Sequence, residues 1–401
     1  MLDPALEADG IGPSAFSGAL AADWAARQAE IADQLRGARA LVVGAAGTIG
    51  AASVRQLLPF GLRRLELVDI DENGLARLAR DIRSRGEGGG TEIGFNALDF
   101  ADWPGLSLAT TSGPFDLVLN FAAVKHVRSE KNLFTLLHMI DVNVVRQQRF
   151  AAHLAAGRLA YRHFVVSTDK AADPASFMGA TKALLEAAVF AASDGAVRAS
   201  TARFANVAYS SGSLLESYQQ RFAAGQALTA PKDTRRYFIS ARDGARICLL
   251  AQLTCPDGRV AIPKFDAASG AVELADTAAA FLGKQGRRAV FVETADEAAQ
   301  RAGHPGPDYP VLLTPRDTAG EKDIEVFRGD SERSEPLGLS ALEAVTPQPI
   351  DPAALTATLG ALSDFVTGAR AADVAAIEAT IARVLPAFRH IGGEARLDDR
   401  I

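Results

Sequence analysis

The stretch ALVVGAAGTIG, residues 40–50, decides the fold of this chain. Its leading apolar residues predict a buried strand, and its glycines predict a tight turn that opens a helix. Gly44 permits the turn, Gly47 lets the backbone approach a pyrophosphate, and Gly50 allows the helix to pack closely on the strand. Because the helix N-terminus faces the anion, this unit predicts dinucleotide binding rather than a purely structural turn. The cofactor-binding candidates at the turn are Gly44, Gly47, Thr48, Ile49 and Gly50.

Acidic residues after the next two strands extend this prediction. Asp69 ends the apolar run LELVD. A carboxylate there accepts hydrogen bonds from a ribose 2′-hydroxyl and repels a 2′-phosphate, which favours NAD over NADP, with Asp71 as a second candidate for the role. Asp99 follows the third strand, where such folds contact adenine, and its alternative is a loop carboxylate or a helix cap. We add Phe100 and Ala122 to the cofactor-binding candidates.

Short apolar runs and helical stretches alternate along the chain from Ala38 to Asn206. This alternation predicts crossover units, and therefore an α/β fold with a doubly wound parallel sheet of the Rossmann type. The predicted strands are 40–43, 65–68, 92–95, 116–119, 163–167 and 200–204.

The pattern changes at both ends of this region. Helical spacing over 20–35 predicts a helix that caps the main domain or contacts a second copy. Pro347 and Pro349 predict a linker ahead of two Ala-rich amphipathic helices. We therefore divide the chain into an N-terminal helical extension (1–37), an NAD-binding Rossmann domain (38–206), a smaller substrate-binding lobe (207–330) and a C-terminal helical extension (331–401).

Composition limits the class of function. The net charge of −6 provides no basic field for a nucleic-acid polymer, although a local cluster of arginines can still hold one nucleotide. Cys248 and Cys255 form no disulfide framework and match no zinc spacing, so we expect no metal site. The chain shows no signal-peptide pattern and no apolar run of about 18 residues. We expect a soluble, cytoplasmic protein with no membrane association.

Three polar segments accompany the fourth and fifth strands. NFAAVKHV (120–127) follows the fourth strand, STDKA (167–171) follows the fifth, and MGATK (178–182) opens the next helix. The ligand crevice of an open parallel sheet lies at the carboxyl ends of its strands, so these segments should converge there. The adjacent Asp169 and Lys170 supply a carboxyl acid and an amine base to that crevice.

The order of these motifs resembles that of the extended short-chain dehydrogenase/reductases. Within them, the chain is most similar to the polysaccharide-biosynthesis branch that contains UDP-N-acetylglucosamine 4,6-dehydratases. The resemblance covers about 38–330, and the C-terminal end is similar to extensions of soluble legionaminic-acid-pathway dehydratases. The motifs that carry it are GAAGTIG (44–50), NFAAVKHV (120–127), STDKA (167–171), MGATK (178–182), RFANV (203–207) and TAGEK (318–322).

The resemblance implies a reaction in which NAD takes a hydride from sugar C4, water leaves across C5–C6, and the hydride returns to C6. Such a site needs a base for the C5 proton and an acid for the departing C6 hydroxyl. By resemblance, Lys170 is that base, Asp169 is that acid, and Thr168 hydrogen-bonds O4. Lys182, one helical turn after position 178, holds the nicotinamide ribose.

Met178 stands where the superfamily usually has a catalytic tyrosine. A thioether cannot accept the O4 proton, which disfavours a tyrosine-based dehydrogenase or 4-epimerase. The chain resembles a subset of N-acetylglucosamine 4,6-dehydratases that carry methionine at this position. The alternative is that Met178 is a packing residue in an inactive protein, and the retained Thr168, Asp169, Lys170 and Lys182 disfavour it.

Substrate contacts are predicted in several segments. Lys125 and His126 contact the sugar or form a structural pair. Glu321, with Lys322, contacts the nucleotide or forms a solvated ion pair. A cluster of arginines with neighbouring polar residues matches the phosphates of a nucleotide diphosphate. These phosphate candidates are Arg203, Asn206, Lys232 and Arg236.

The resemblance also implies a homodimer through a helix bundle, built from helices at 132–155 and 176–192. The function expected is 4,6-dehydration of an N-acetylglucosamine linked to UDP or GDP. Two alternatives are a nucleotide-sugar epimerase of the same fold and a non-catalytic NAD-binding scaffold or regulator.

Overall fold

The computed structural model describes residues 14–193, 195, 197–265, 270–302, 306–315 and 324–390. Glu321 and Lys322 therefore lie outside the described residues. The strands are β1 (Arg39–Val43), β2 (Arg64–Asp69), β3 (Glu92–Ala97), β4 (Leu117–Asn120), β5 (Arg162–Val166), β6 (Arg198–Ala202), β7 (Asn206–Val207), β8 (Leu228–Pro231), β9 (Arg235–Arg236), β10 (Phe238–Ile239), β11 (Arg259–Pro263), β12 (Val272–Glu273), β13 (Arg288–Val292), β14 (Asp308–Thr314), β15 (Arg333–Pro336) and β16 (Leu342–Thr346).

The helices surround these strands and alternate with them in the first half of the chain. They are α1 (Ser14–Leu35), α2 (Thr48–Leu57), α3 (Glu72–Ser84), α4 (Trp103–Ser112), α5 (Leu133–Ile140), α6 (Arg146–Gly157), α7 (Phe177–Ser193), α8 (Leu214–Ala223), α9 (Ala241–Thr254), α10 (Leu274–Lys284), α11 (Ala295–Arg301), α12 (Pro352–Thr367) and α13 (Val374–Ala382).

The main sheet has nine strands within the described residues, in the order β3-β2-β1-β4-β5-β6-β11-β16-β15. The run from β3 to β11 is parallel, which confirms the doubly wound α/β prediction. Strands β1 and β4 are buried almost throughout, as expected for a parallel sheet covered by helices on both faces.

Strands β15 and β16 correct the prediction for the C-terminal region. They pair antiparallel at the edge of the main sheet, where β16 joins β11 with Val260 opposite Val345. The region assigned to a helical extension thus begins as part of the sheet, and its described helices are α12 and α13. The mostly buried β16 pairs with β11, about 80 residues earlier in the chain, and a local sequence pattern does not contain such a partner.

A smaller lobe lies beyond β6 in the chain. It contains a parallel sheet in the order β13-β14-β8, against which α8 and α10 pack. Its apolar cluster includes Leu215, Tyr218, Phe281 and Val311, all buried. The short pairs β7–β10 and β9–β12 lie beside it. The loop between β7 and α8 brings this lobe against the carboxyl edge of the main sheet.

Helix α1 covers one side of the main domain. Ser17 Oγ donates a hydrogen bond of 2.8 Å to Asp243 on α9. The carboxylate of Asp23 accepts from the backbone N–H groups of Ser340 and Ala341, just before β16. Helix α1 is therefore packed against both the helical layer and the last strands of the sheet.

Helices α12 and α13 pack on α5, α7 and the π-helical turn Asp141–Val145 that separates α5 from α6. The apolar cluster in this contact contains buried residues from both groups of helices: Leu136, Ile140, Val144, Phe177, Leu184, Leu355, Leu362, Phe365, Ile377 and Ile381. The homodimer prediction placed these same helices against a second copy. In the structure, α12 and α13 of the same chain pack on α5 and α7 and occupy part of the face that this prediction gave to a second copy; the homodimer itself stays a prediction.

The described residues contain no helix with the length and apolar character needed to cross a membrane.

Candidate functional site

A cleft of about 890 Å³ opens at the carboxyl ends of β1, β4, β5 and β6, between the main sheet and the smaller lobe. The three polar segments of the sequence meet there, as the topology of a parallel sheet requires. The sequence-predicted residues that line the cleft are Gly44, Gly47, Thr48, Ile49, Gly50, Lys125, His126, Thr168, Asp169, Lys170, Met178, Lys182, Asn206 and Arg236.

The glycine turn forms the floor of one end of the cleft. Gly44 has φ of +73°, and a Cβ there would lie 2.9 Å from the backbone of Phe121 and Ala122. A Cβ on Gly50 would clash with the Gly44 carbonyl oxygen. Among the described residues, no side chain caps the N-terminus of α2 at Gly47. This backbone cradle fits a pyrophosphate, while Ala122 supports it from behind and does not line the cleft.

The two acidic candidates for the ribose, Asp69 and Asp71, make different hydrogen bonds at this edge of the sheet. Asp69 accepts hydrogen bonds from the N–H groups of Ala46, at 2.8 Å, and Asp71, at 2.9 Å, so it braces the glycine turn. Asp71 caps α3 by accepting from Gly74 at 2.9 Å. Asp71 therefore has the role of a helix cap, and Asp69 remains the candidate for the ribose.

Asp99 is held by neighbouring protein groups. It pairs with Arg146 and accepts from the N–H of Ala101 at 2.9 Å. Phe100 is buried and packs edge-on against Phe150, with ring centroids 5.3 Å apart. The loop-carboxylate alternative describes Asp99 in this structure, and neither residue lines the cleft.

The segment after β5 forms a compact acid–base group. Thr168 Oγ1 donates a hydrogen bond of 2.8 Å to Asp169 Oδ1. Lys170 Nζ lies 3.1 and 3.2 Å from the two carboxylate oxygens of Asp169. The Asp169 side chain is almost fully buried, whereas that of Lys170 is 35% exposed to the cleft. An acid and an amine in direct contact can exchange a proton without changing their total charge.

Helix α7 lies directly on this group. A Cβ at Gly179 would lie 2.5 Å from the Lys170 carbonyl oxygen, so only glycine allows this approach. Met178 is buried beside it. Lys182 Nζ donates to the Val166 carbonyl at 2.9 Å, and burial lowers the pKa of Lys182 to about 8 against the opposing charge of Glu186.

Lys125 and His126 lie on the opposite wall, next to the loop from Ser210 to Ser213. Lys125 Nζ is 3.4 Å from Ser210 Oγ, and a Cβ at Gly212 would clash with the His126 ring. Burial lowers the pKa of both side chains, and the charge of Glu216 opposes it. The loop thus lies against His126, and both candidate side chains line the cleft.

Arg203 corrects a prediction, because its guanidinium faces protein carboxylates away from the cleft. It bonds to Glu186 at 2.6 and 2.9 Å and to Glu332 at 2.6 and 2.8 Å. Burial alone would lower the pKa of Arg203, and the charges of these carboxylates raise it well above its usual value. Glu186 also accepts from Ser167 Oγ, so this buried cluster anchors the strand end that carries Asp169.

Lys232 also lies outside the cleft. Its Nζ forms a surface ion pair with Glu293 at 2.8 Å. Lys232 was predicted together with Arg236 as a phosphate contact, but Lys232 directly follows β8, whereas Arg236 belongs to β9. Asn206 and Arg236 do line the cleft.

Glu325 is a cleft-side residue that the sequence analysis missed. Its carboxylate accepts from Asn206 Nδ2 at 2.5 Å and from the Tyr237 N–H at 3.1 Å, and it lies 3.5 Å from Arg236 Nε. Burial raises the pKa of Glu325, and so does the charge of Asp169. The sequence signal that could have identified Glu325 is its position three residues after the TAGEK motif (318–322). Ser217 and Arg221 also line the cleft without having been predicted.

Comparison with known proteins identifies the family of this chain. A family described as polysaccharide biosynthesis protein matches residues 40–303, well over half of the chain. The chain belongs to this family. The match includes the glycine turn, the acid–base segment and α7, and it ends before Glu325.

Two curated relatives resemble this family member over part of its length. An uncharacterized membrane protein of Methanocaldococcus jannaschii is 30% identical over 230 residues, which are 56% of this chain and 66% of that protein. A UDP-N-acetylglucosamine 4,6-dehydratase (inverting) of Campylobacter jejuni is 30% identical over 155 residues, which are 37% of this chain and 46% of that protein. The chain thus spans less than two thirds of the length of each.

Solved structures share the fold of this family member at low identity. The Pen protein of Bacillus thuringiensis superimposes with a TM-score of 0.63 and 19% identity, over 79% of this chain and 89% of that one. The enzyme WbmF of Bordetella bronchiseptica, solved with NAD+ and UDP, has a TM-score of 0.50 and 16% identity, over 61% and 76%. At such identities the likeness establishes the architecture alone.

Proposed function

We propose that this protein is an NAD-dependent nucleotide-sugar 4,6-dehydratase that acts on N-acetylglucosamine linked to UDP or GDP. The observation that carries the proposal is the contact between Asp169 and Lys170 beside Met178, where a tyrosine would otherwise stand. An acid and a base in contact, without a phenol, suit elimination better than simple oxidation. The name of the Campylobacter jejuni relative supports this choice of reaction.

The glycine turn and the edge of β2 would hold NAD. The backbone around Gly44 and Gly47 would bind the pyrophosphate, Asp69 the adenosine ribose and Lys182 the nicotinamide ribose. When bound, NAD+ supplies a hydride acceptor for C4 and a hydride donor for C6. The solved WbmF complex with NAD+ supports this assignment through the shared fold.

The side chains of the cleft perform the elimination of water. With a carbonyl at C4, the neutral amine of Lys170 takes the C5 proton. The electron pair released at C5 forms the C5–C6 double bond, and the C6–O bond breaks. Asp169 in its protonated form donates its proton to the departing oxygen, which leaves as water. The reactive tautomer of the pair differs from its ion pair only by one proton moved from Lys170 to Asp169.

The remaining cleft residues bind and orient the substrate. Thr168, whose hydroxyl is fixed on Asp169, would contact O4. Lys125 and His126 would contact the sugar from the opposite wall. Asn206 and Arg236, braced by Glu325, would bind the diphosphate, because a guanidinium matches phosphate oxygens in a fork geometry. The charge of this local cluster attracts a nucleotide despite the net charge of −6.

The test is incubation of the protein with NAD+ and either UDP- or GDP-N-acetylglucosamine in deuterated water. Mass spectrometry and NMR should find a 4-keto-6-deoxy sugar that has lost one water and carries deuterium at C5. Lys170→Met should abolish this product while NAD+ still binds, and Lys284→Met, at an exposed lysine on α10, should leave it unchanged.

A C4 epimer formed without loss of water would identify the protein as an epimerase instead. Absence of turnover with every nucleotide sugar, together with intact NAD+ binding, would favour the non-catalytic scaffold. Full dehydratase activity in Lys170→Met would refute the assigned base.

A further inference from the structure

The segment after α13 reaches back to the start of the helix that carries Met178 and Lys182. The Phe177 ring, at the first position of α7, lies between Phe388, at 5.5 Å, and His390, at 4.5 Å between centroids. His390 is itself tied to α13, because its N–H donates to Glu378 at 2.9 Å. Phe388 and His390 therefore lie against the N-terminus of α7.

Glu130 joins this segment to the cleft. Its buried carboxylate accepts from the N–H groups of Phe177, at 3.1 Å, and Met178, at 2.8 Å, which are otherwise orphaned donors in the first turn of α7. His390 Nε2 lies 3.2 Å from the same carboxylate. A carboxylate at a helix N-terminus is favoured by the helix dipole, but burial makes each lost donor costly.

Glu130 also links the two walls of the cleft. It belongs to the 3₁₀ helix Val127–Lys131, which directly follows Lys125 and His126. On its other side, the first turn of α7 packs on the Lys170 backbone through Gly179. A shift of Glu130 would therefore be transmitted to both walls.

We propose that residues 352–390 are a positioning element of the active site, which acts through His390 and Glu130 on the first turn of α7. Helices α12 and α13 bury the outer face of α5 and α7, and the residues after α13 fix the carboxylate that caps α7. His390 and Glu130 do not line the cleft, so they act on Asp169 and Lys170 only through the position of α7. This element lies beyond residue 303, where the family match ends.

The experiment compares His390→Ala, His390→Gln and His138→Ala in the full chain. His138 is an exposed histidine on α5 of the same bundle and serves as the matched control. Hydrogen exchange at the amides of Phe177 and Met178 should accelerate about tenfold in His390→Ala, the size expected for one lost hydrogen bond to a charged group. The melting temperature and exchange in β1 and β4 should stay close to those of the wild type.

His390→Gln retains an N–H donor and should restore most of the protection at Phe177 and Met178. Titration with NAD+ should give a weaker dissociation constant for His390→Ala than for His138→Ala, because Lys182 lies on the displaced helix. This second readout rests on the proposed function, whereas amide exchange does not. If the wild type fails to bind NAD+, the proposed function fails and the exchange result still decides the positioning role.

Two results would overturn the proposal. One is unchanged exchange at the first turn of α7 in His390→Ala. The other is an acceleration spread evenly over the whole chain with a fall in melting temperature, since that describes general loss of stability. Equal exchange rates at Phe177 and Met178 in His390→Ala and His138→Ala would also overturn the proposal.

Discussion

Arg203 follows β6 of the main sheet and Arg236 lies in the short strand β9, and both contact glutamates. Arg203 is enclosed by Glu186 and Glu332, and its side chain is 2% exposed. Arg236 has Glu325 at 3.5 Å, lines the cleft and is 12% exposed.

The difference between the two regions is whether the guanidinium is enclosed by protein or lines the cleft. In the buried cluster two carboxylates occupy the fork of Arg203, so it contributes to stability and offers nothing to a ligand. In the cleft the contact with Glu325 orients Arg236 toward a space that an anion can enter. The same residue type, about 30 positions apart, has a structural role in one region and a proposed binding role in the other.

The largest effect is expected on the buried side. Arg203→Met leaves the carboxylates of Glu186 and Glu332 buried without a counter-charge, which should lower the free energy of unfolding by about 3–5 kcal/mol. Urea denaturation measures this loss. The triple variant Arg203→Met, Glu186→Gln, Glu332→Gln should recover part of it, because no unpaired charge remains. A loss below about 1 kcal/mol in the single variant would contradict the comparison.

The matching change on the cleft side should act on binding. Arg236→Met should reduce kcat/KM for the nucleotide sugar by about 10- to 100-fold, the usual size for a lost charge-assisted contact. Its free energy of unfolding should fall by less than that of Arg203→Met, because Arg236 lines the cleft whereas Arg203 is fully enclosed. Steady-state kinetics and urea denaturation of the same preparation separate these effects. Loss of stability as large as that of Arg203→Met would show that the two arginines have the same role.

Lys182 lies between the two regions, since its ammonium lines the cleft and Glu186 belongs to the buried cluster. With a pKa of about 8, Lys182 loses its charge above that pH, so NAD+ affinity should fall about tenfold per pH unit there. The free energy of unfolding should instead rise over the same range. Burial penalises the charged form of Lys182, and this penalty disappears as pH rises from about 8 to the unfolded pKa near 10.5. Titration of NAD+ across this range is the measurement, and a flat Lys182→Met profile is the control.

The smallest effect is expected at Glu325. Its pKa is raised in the folded state, so the wild type should lose stability, relative to Glu325→Gln, as pH rises through that pKa from about 4.5. Thermal unfolding of both proteins between pH 4 and pH 7 gives the difference. Glu332→Gln, in the buried cluster, is the comparison variant. A wild type that gains stability over Glu325→Gln as pH rises would show that Arg236 outweighs burial.

Much of the fold and the centre of the site could be predicted from local sequence. The strand ends before Gly44, Asn120 and Ser167 are apolar runs followed by polar residues, and parallel topology brings such ends to one edge. From this topology the sequence correctly predicted that Asp169, Lys170 and Lys182 line the same cleft.

The errors share a physical cause. Arg203 meets Glu332 across 129 residues, and Lys232 meets Glu293 across 61. Partners this far apart in the chain produce no local sequence pattern. From sequence, a basic residue in an ion pair with the protein therefore cannot be distinguished from one that binds a ligand. The edge strands β15 and β16 and the contact of α12 with α5 escaped prediction for the same reason.

The sequence alone determined what depends on a few adjacent residues: the glycine turn, the contact between the Asp169 carboxylate and the Lys170 amine, and the alternation that builds a parallel sheet. These features follow from backbone sterics and hydrophobic periodicity, which act over one or two turns of chain. The tertiary structure decided which charges are enclosed and which face the cleft, and which chain covers the outer face of α5 and α7. Burial and pairing are properties of neighbours in space, and only the folded chain defines those neighbours.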